Sequence, residues 1–183
     1  PGAIEAVAAG LDRHKAKNVV LDPVMIAASG DRLLAADAID VLRRVLIPRA
    51  MLITPNLPEA AALLDAPEAK NEQEMKEQAE KLLALGAKAV LIKGGHGQGA
   101  ESVDYLVEPT AVVRLAADRI ATKNTHGTGC TLSSAIAAGL AKGLALADAV
   151  REAKAYVTAA IAASGKIEIG HGHGPVHHFH KWW

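Results

Sequence analysis

The sequence predicts an α/β fold built on a mostly parallel sheet with an antiparallel edge. Short apolar runs alternate with segments of helical periodicity, and each run ends in polar or turn residues. One later region instead shows the two-residue alternation of exposed strands. The first pattern is typical of parallel βαβ units, and the second fits a sheet edge. With 183 residues, the chain is predicted to form a single α/β domain over residues 1–183.

The first half of the chain contains three predicted buried strands separated by helices. The strands are predicted at 19–21, 51–53 and 89–92, and the helices around 4–11, 39–46, 60–64 and 71–85. Pro48 is expected to end the second helix. Asn71 and Glu74 are expected to form a capping box for the fourth helix, with Gly86 just past its end.

The second half of the chain begins with the alternating region. Strands are predicted at 103–107, 111–115 and 119–122, with a turn at 108–110 between the first two. Glycine-punctuated residues follow, and then helices are predicted at 129–142 and 147–164. This order places the antiparallel edge after the parallel strands.

Composition excludes several classes of protein. Half of the residues are hydrophobic and 22% are charged, which argues against a disordered or fibrous chain. A formal net charge of zero and only 3% aromatic residues argue against nucleic acid as a partner. No apolar run has the length of a membrane span, and no leader-like segment opens the chain. The single cysteine forbids an intramolecular disulfide and favours a reducing, cytoplasmic location.

The stretch Asn124–Thr131 carries the most specific local signal. Gly127 and Gly129 immediately precede an alanine-rich helix, where glycine allows a sharp turn and close approach to a ligand. The first amides of a helix bind anions, so this geometry suits a phosphoryl group in transfer. Cys130 falls in the first turn, where helix amides stabilise a thiolate that can accept a proton from a hydroxyl. A tight turn with Cys130 as a small buried hydrophobe stays an open alternative.

Polar residues also follow each of the three predicted strands. Asp22 follows the first strand, Asn56 and Glu59 follow the second, and Lys93 ends the third. The carboxyl ends of strands form the ligand crevice of a doubly wound sheet. Two acids and an amide suit hydrated magnesium, and a lysine suits nucleotide phosphates. Taken singly, these residues also fit turns, caps, a solvated first-turn acid or an exposed lysine.

Six segments in chain order resemble one enzyme family. They are Val20–Met25, Ser29–Asp31, Thr54–Ala60, Lys93–His96, Asn124–Thr131 and His171–Val176. Together they are similar to the hydroxymethylpyrimidine/phosphomethylpyrimidine kinases of thiamine biosynthesis, members of the ribokinase-like superfamily. The resemblance implies a three-layer sandwich, ATP as co-substrate, Mg²⁺, and a homodimer. It also implies phosphorylation of 4-amino-5-hydroxymethyl-2-methylpyrimidine and then of its monophosphate.

The resemblance also assigns roles to individual residues. It makes Cys130 the catalytic base, in the position where most sugar kinases of the superfamily have an aspartate. Three neighbours would form the anion hole: Gly127, Thr128 and Gly129. Five residues would bind the nucleotide and its metal: Asp22, Asn56, Glu59, Lys93 and Thr125, with Asp22 and Glu59 nearest the Mg²⁺. Residues 26–34 would form a flap over the substrate.

The resemblance does not include the family's N-terminal strands and glycine-rich loop. We therefore expect an N-terminally truncated fold, the C-terminal portion of a longer family domain, without much of the pyrimidine pocket. Two alternatives follow: a pyridoxal kinase of the same superfamily, or an inactive nucleotide-binding fragment. Five histidines and two tryptophans lie after Gly170. We expect an ordinary terminus there, with the tryptophans packed against a neighbouring helix or subunit.

Overall fold

A computed structural model describes residues 1–25, 34–95, 99–167 and 169–183. The chain divides into two compact units. The first unit comprises Pro1–Gln98 with Val103–Leu115, and the second comprises Gly99–Ser102 with Ala116–Trp183. The single domain over residues 1–183 stays a prediction. In the described part of the chain, no helix is both long and apolar enough to cross a membrane.

The elements follow the predicted alternation of helices and strands. They are α1 (Gly2–Arg13), β1 (Val20–Leu21), α2 (Ala36–Val41), β2 (Leu52–Ile53), α3 (Leu57–Leu64), α4 (Glu72–Leu83), β3 (Val90–Lys93), β4 (Glu101–Glu108), β5 (Ala111–Asp118), α5 (Thr128–Ala141) and α6 (Leu146–Ala162). The strands form one sheet in the order β1-β2-β3-β4-β5. β1 pairs with β2 and β2 with β3 in parallel, whereas β4 runs antiparallel to β3. The predicted α/β class with an antiparallel edge is therefore confirmed.

The core of the first unit lies around the parallel strands. Ile53, Val90 and Ile92 are fully buried because these strands are covered by apolar side chains on both faces. Leu82 of α4 and Ile47 belong to the same core cluster and are also fully buried. This packing fixes the ends of β1, β2 and β3 in register.

The second unit is centred on the pair α5 and α6. A Cβ atom on Gly139 of α5 would lie 3.0 Å from the Cβ of Ala149 on α6, so the glycine permits a close approach of the two helices. Ile136 and Ala160 are fully buried in this unit. The chain after α6 returns to it, since the His177 amide donates to the carbonyl of Ala160 over 3.0 Å. The tail, residues 171–183, is therefore attached to the second unit through the His177 backbone.

Two predictions for the middle of the chain are wrong. Pro48 does not end the second helix: α2 widens into a π-helical segment, Leu42–Leu46, and ends in a 3₁₀ turn, Ile47–Arg49, that contains the proline. Proline is tolerated there because a first-turn amide has no intrahelical acceptor.

Residues 119–122 form no strand. The side chain of Arg119 binds the carbonyl of Gly99 and its amide binds the carbonyl of Ala100, where the strand pairing ends.

The fourth helix also differs from its prediction. α4 ends at Leu83 and not at Leu85. The side chain of Asn71 accepts from the Glu74 amide, but Glu74 accepts from the Lys70 amide, so the reciprocal half of the capping box is missing.

Two further expectations concern the tryptophans of the tail and the predicted flap. Trp182 and Trp183 are 72% and 70% exposed, so within the described residues they are not packed against a helix as expected. Trp183 instead stacks on Phe179, with ring centroids 5.9 Å apart. Residues 26–33 of the predicted flap lie outside the described residues, as does His96.

Candidate active site

The polar residues predicted at the strand ends lie together in the first unit. Asp22 follows β1 directly, and Lys93 is the last residue of β3. The Lys93 ammonium lies 2.9 Å from Asp22 Oδ1, and each side chain is 13% exposed. Asn56 forms a parallel β-bridge with Lys93, which ties the start of α3 to the end of β3. The alternative of a simply exposed Lys93 is therefore wrong.

Asn56 and Glu59 form a reciprocal capping box at the start of α3. Asn56 Oδ1 accepts from the Glu59 amide, and Glu59 Oε2 accepts from the Asn56 amide, both over 2.8 Å. A capping box satisfies two helix-start donors that otherwise have no partner. Pro58 at the second helical position adds no unsatisfied amide. The cap fixes where the Glu59 carboxylate lies, which is a structural role that does not exclude a functional one.

Glu59 is buried, so the alternative of a solvated first-turn acid is wrong. Glu59 is only 3% exposed. Burial raises the pKa of the Glu59 carboxyl above its ordinary value, and the nearby charge of Asp22 raises it further. The amides of Asn56 and Met25 and the charge of Lys93 act in the opposite direction. The carboxyl therefore lies in an environment that favours a compensating cation.

Two supporting residues were missed by the sequence analysis. Thr54, fully buried after β2, donates its hydroxyl to Asp22 Oδ1 over 3.0 Å. Asp104 of β4, 4% exposed, accepts from the Gly94 amide over 3.0 Å. Two signals marked Thr54: it directly follows an apolar run, and it opens the Thr54–Ala60 segment of the resemblance. No comparable signal marked Asp104, because β4 contains several polar residues.

The predicted anion loop lies at the start of α5 in the second unit. Gly127 is the N-cap residue with φ of 80°, a left-handed conformation that favours glycine. Its carbonyl accepts from the Thr131 amide over 2.9 Å and from the Thr131 hydroxyl over 2.7 Å. Thr128, Gly129 and Cys130 form the first turn. Within the described residues the amides of Gly129 and Cys130 have no acceptor, as an anion site requires.

Cys130 is exposed, so the alternative of a small buried hydrophobe is wrong. It is one of the residues that line a groove of about 910 Å³, together with others of α5, α6 and the chain after α6. Alanines form much of its wall, with Lys142 and Glu152 among the charged residues. The thiol is therefore accessible to a small molecule.

The segments around the anion loop are held by the tail and by the chain after α6. The His126 amide, which precedes the loop, donates to the Gly174 carbonyl over 3.1 Å. Asn124 donates its side-chain amide to the carbonyl of the fully buried Ser164 over 2.9 Å. A Cβ atom on Gly174 would overlap the Asn124 side chain, so the glycine permits this close contact. These contacts assign His126 a loop-shaping part through its backbone.

The donor set of the first unit fits a magnesium ion. Asp22 and Glu59 are carboxylates that share one environment, and the charge of Asp22 disfavours the charge of Glu59. Mg²⁺ is usually held by one or two carboxylates together with water and phosphate oxygens. Among the residues that the structure describes, no group of three or more histidine, cysteine or acidic side chains could hold a metal. A dedicated all-protein cage is therefore not part of the described structure, and magnesium does not need one.

The chain is similar to known proteins over nearly its whole length. The family model described as phosphomethylpyrimidine kinase matches residues 1–177. The chain is 56% identical over 180 residues to the hydroxymethylpyrimidine/phosphomethylpyrimidine kinase of Salmonella typhimurium, covering 98% of this chain and 68% of that protein. It is 47% identical to the thiamine biosynthesis bifunctional protein ThiED of Geobacter sulfurreducens, covering 96% of this chain and 35% of that protein.

Among solved structures, the chain is similar to an ADP complex of Bacillus subtilis pyridoxal kinase. The TM-score is 0.88 with 39% identity, and the match covers 96% of this chain and 65% of that one. The chain thus spans slightly less than two thirds of this structural relative. The match confirms the predicted ribokinase-like α/β fold.

The sequence relatives confirm the expectation of a kinase family that serves thiamine biosynthesis. They cover the segments that carry the resemblance, from Val20–Met25 to Asn124–Thr131. The identity far exceeds what a shared fold alone requires. The chain belongs to the phosphomethylpyrimidine kinase family.

Proposed function

We propose that this chain carries the phosphate, metal and base apparatus of an ATP-dependent kinase. Its substrates are 4-amino-5-hydroxymethyl-2-methylpyrimidine and the monophosphate of that alcohol. The observation that carries the proposal is the buried cluster at the strand ends of the first unit, where Asp22, Glu59 and Lys93 lie together. A lysine beside two carboxylates suits a magnesium–nucleotide complex, since each group has a charge partner there.

Lys93 is proposed to bind the nucleotide phosphates. An ammonium has three donors, and Asp22 accepts from one of them. The low exposure of the pair strengthens any further electrostatic contact, because little water screens it. Asn56 and Thr125 are proposed to support nucleotide binding, with Asn56 acting through the position of Glu59.

Asp22 and Glu59 are proposed to hold Mg²⁺, with water in the remaining positions. When bound, the ion neutralises charge on the phosphate oxygens. Glu59 is pre-positioned by the capping box, so binding does not require it to be ordered first. The neighbouring Asp22 is held by Thr54 and Lys93.

The anion loop is proposed to stabilise the phosphoryl group during transfer. The amides of Gly129 and Cys130 donate to its oxygens, with Gly127 and Thr128 shaping the turn. The thiolate of Cys130 takes the proton from the attacking hydroxyl, which leaves an alkoxide to bond to phosphorus as the bond to the leaving nucleotide oxygen breaks. Exposure of Cys130 supports this role, since a base must reach its substrate.

The test replaces Cys130 in this chain and in its longest natural form. Cys130→Ala is expected to lower turnover by about a hundredfold or more, the usual contribution of a general base. Cys130→Ser keeps the size of the side chain but replaces the thiol by a much weaker acid, so it is expected to lose turnover as well. Calorimetry should show that both variants still bind ADP with magnesium. Near-normal rates in either variant would remove the thiol from the mechanism.

A pyridoxal kinase is the second candidate. It is favoured by the similarity to the pyridoxal kinase of Bacillus subtilis, with a TM-score of 0.88. The same cluster and loop serve either alcohol, because they contact phosphate and metal and not the ring. The identity to the pyrimidine kinase is higher, 56% against 39%, and this supports the pyrimidine as substrate.

A cytoplasmic homodimer completes the proposal. The single cysteine favours a reducing compartment. The exposed rings of Phe179, Trp182 and Trp183 support a contact with another chain. Light scattering combined with size-exclusion chromatography tests the dimer, and a mass of one chain at micromolar concentration would contradict it.

A further inference from the structure

Thr54 is a polar residue to which the function proposed above gives no effect on nucleotide binding. It follows β2 and is fully buried, in a strand end that is otherwise apolar. Burial of a hydroxyl is unfavourable unless the group finds a hydrogen-bond partner. Its partner is a carboxylate, Asp22 Oδ1, at 3.0 Å. A hydrogen bond to a charged acceptor is stronger than one between neutral groups.

The register of the sheet places the two residues opposite each other. Leu21 pairs with Ile53, so the next residues along the two parallel strands are Asp22 and Thr54. The Thr54 amide also donates to the Leu21 carbonyl over 3.0 Å. Backbone and side chain of Thr54 therefore both bind the end of β1, which leaves little freedom to the Asp22 backbone or carboxylate.

Lys93 uses the same carboxylate oxygen. Its ammonium donates to Asp22 Oδ1 over 2.9 Å, and its amide donates to the Pro55 carbonyl over 2.8 Å. One oxygen atom thus receives a neutral donor from the end of β2 and a charged donor from the end of β3. Turning the carboxylate would break both contacts together.

From this arrangement we propose that Thr54 is a positioning residue, which holds Asp22 so that Lys93 stays oriented towards nucleotide phosphate. The inference deepens the proposed function and rests on it. In this role Thr54 acts through Asp22 and not by contact with substrate or metal. Without its hydroxyl, Asp22 Oδ1 loses the donor at the end of β2, so the carboxylate is held less firmly beside the ammonium and competes more with phosphate for its donors.

The experiment compares Thr54→Val with Thr54→Ser. Valine keeps the shape of the side chain and removes the donor, whereas serine keeps the donor and removes a methyl group. Calorimetry with ADP and magnesium is expected to show affinity about tenfold lower for the valine variant, as for loss of a hydrogen bond to a charged group. Serine is expected to restore affinity to within about twofold of wild type. In the turnover assay the valine variant should raise KM for ATP more than it lowers kcat.

Two controls separate positioning from packing. Thr158→Val makes the same change in α6, where the hydroxyl donates to the Lys154 carbonyl, and should leave ADP affinity unchanged. In a chain that already carries Asp22→Asn, Thr54→Val should cost little further affinity, because both changes act on one contact. Thr54→Ala serves in place of valine if the valine variant does not fold.

The outcomes distinguish this inference from the proposed function. Failure of the wild-type chain to bind ADP with magnesium would contradict the proposed function itself. If wild type binds and the valine variant binds equally well, the positioning role is wrong. Equal losses in the valine and serine variants would also overturn it, since any change of this side chain would then lower affinity and the hydroxyl would have no particular part.

Discussion

Glu59 shows how one residue serves both the fold and the proposed site. Its backbone amide is capped by Asn56, and its carboxylate caps Asn56 in return. Burial raises the pKa of the Glu59 carboxyl, so the fold holds a charge that it does not itself stabilise fully. Unfavourable electrostatics of this kind are typical of functional sites.

Replacing Glu59 by glutamine separates its role in the fold from its proposed role in metal binding. Glu59→Gln keeps an oxygen that caps Asn56 and removes the buried charge, so stability at neutral pH should be unchanged or higher. Affinity for ADP with magnesium should fall at least about tenfold, because a metal-binding carboxylate is lost. Denaturant unfolding and calorimetry on the same samples measure the two effects. Loss of stability with unchanged affinity would show that Glu59 is only a cap.

The pKa of Glu59 also predicts the pH dependence of stability. In the folded chain the pKa lies above the ordinary value of 4.5, so the folded state binds more protons than the unfolded state above that pH. The contribution of Glu59 to stability therefore falls as pH rises from 4.5 through the folded pKa. Glu59→Gln should remove this fall, as measured by urea unfolding at a series of pH values. An identical slope in both proteins would contradict the assignment.

At the scale of elements, the contact between α5 and α6 depends on Gly139. A Cβ atom there would lie 3.0 Å from the Ala149 Cβ and 3.3 Å from its Cα. The crowded atoms belong to the backbone or adjoin it, so relief requires a shift of a whole helix. A side chain at position 139 therefore disrupts the packing of α5 against α6.

The matched pair Gly139→Ala and Gly10→Ala tests this contact. Gly10 lies in α1, where a Cβ atom would meet nothing within 4 Å, so alanine there should stabilise the fold by about 0.5–1 kcal/mol. Gly139→Ala should instead destabilise the fold by about 1 kcal/mol, since overpacking outweighs the gain in helix propensity. Thermal unfolding of both variants measures the difference. If both variants unfolded at a higher temperature than wild type, α6 would have shifted to make room for the methyl group at position 139.

Another contact between elements joins α4 to the edge strands of the first unit. Glu72 accepts from Arg114 Nε at 2.8 Å and Nη2 at 2.9 Å, and also from the Tyr105 hydroxyl. The hydrogen bonds from Arg114 and then Tyr105 lower the pKa of Glu72 to about 2. A bidentate arginine pair of this kind fixes both position and orientation.

The lowered pKa predicts behaviour in acid. Stability from Glu72 is fully present above the ordinary value of 4.5 and is lost as pH falls towards about 2. Glu72→Gln should therefore flatten the acid side of the stability profile, measured by denaturant unfolding between pH 2 and 7. Glu80→Gln removes another acid from the exposed side of α4 and serves as the control. Equal effects of the two variants would exclude a special role for Glu72.

At the scale of the whole molecule, the choice of substrate is the property to test. The described cluster and loop are proposed to bind phosphate and metal, and on that proposal they do not discriminate between alcohols. The higher identity to a pyrimidine kinase predicts kcat/KM at least about tenfold higher for the hydroxymethylpyrimidine than for pyridoxal, a difference of about 1.4 kcal/mol. Parallel turnover assays on this chain and on its longest natural form measure it. A preference for pyridoxal would favour the second candidate, and nucleotide binding without turnover would favour an inactive fragment.

Much of the fold was predictable because its signals are local. Apolar runs located β1, β2 and β3, and a left-handed glycine marked the start of α5. Helix ends were less predictable, since tertiary contacts compete with local propensity there. Pro48 illustrates this, because the surrounding core accepts a π-helical segment and a 3₁₀ turn in place of a simple stop.

Patterns within the amino-acid sequence are enough to predict the order of the elements, the family, and the residue types that carry the proposed chemistry. Three findings came only from the folded chain: Glu59 is buried, Thr54 binds Asp22 across 32 residues, and Lys93 binds it across 71. Burial and hydrogen-bond partners could not be predicted because they depend on the register of neighbouring strands. Register arises from packing of the whole core, which no short stretch of sequence specifies.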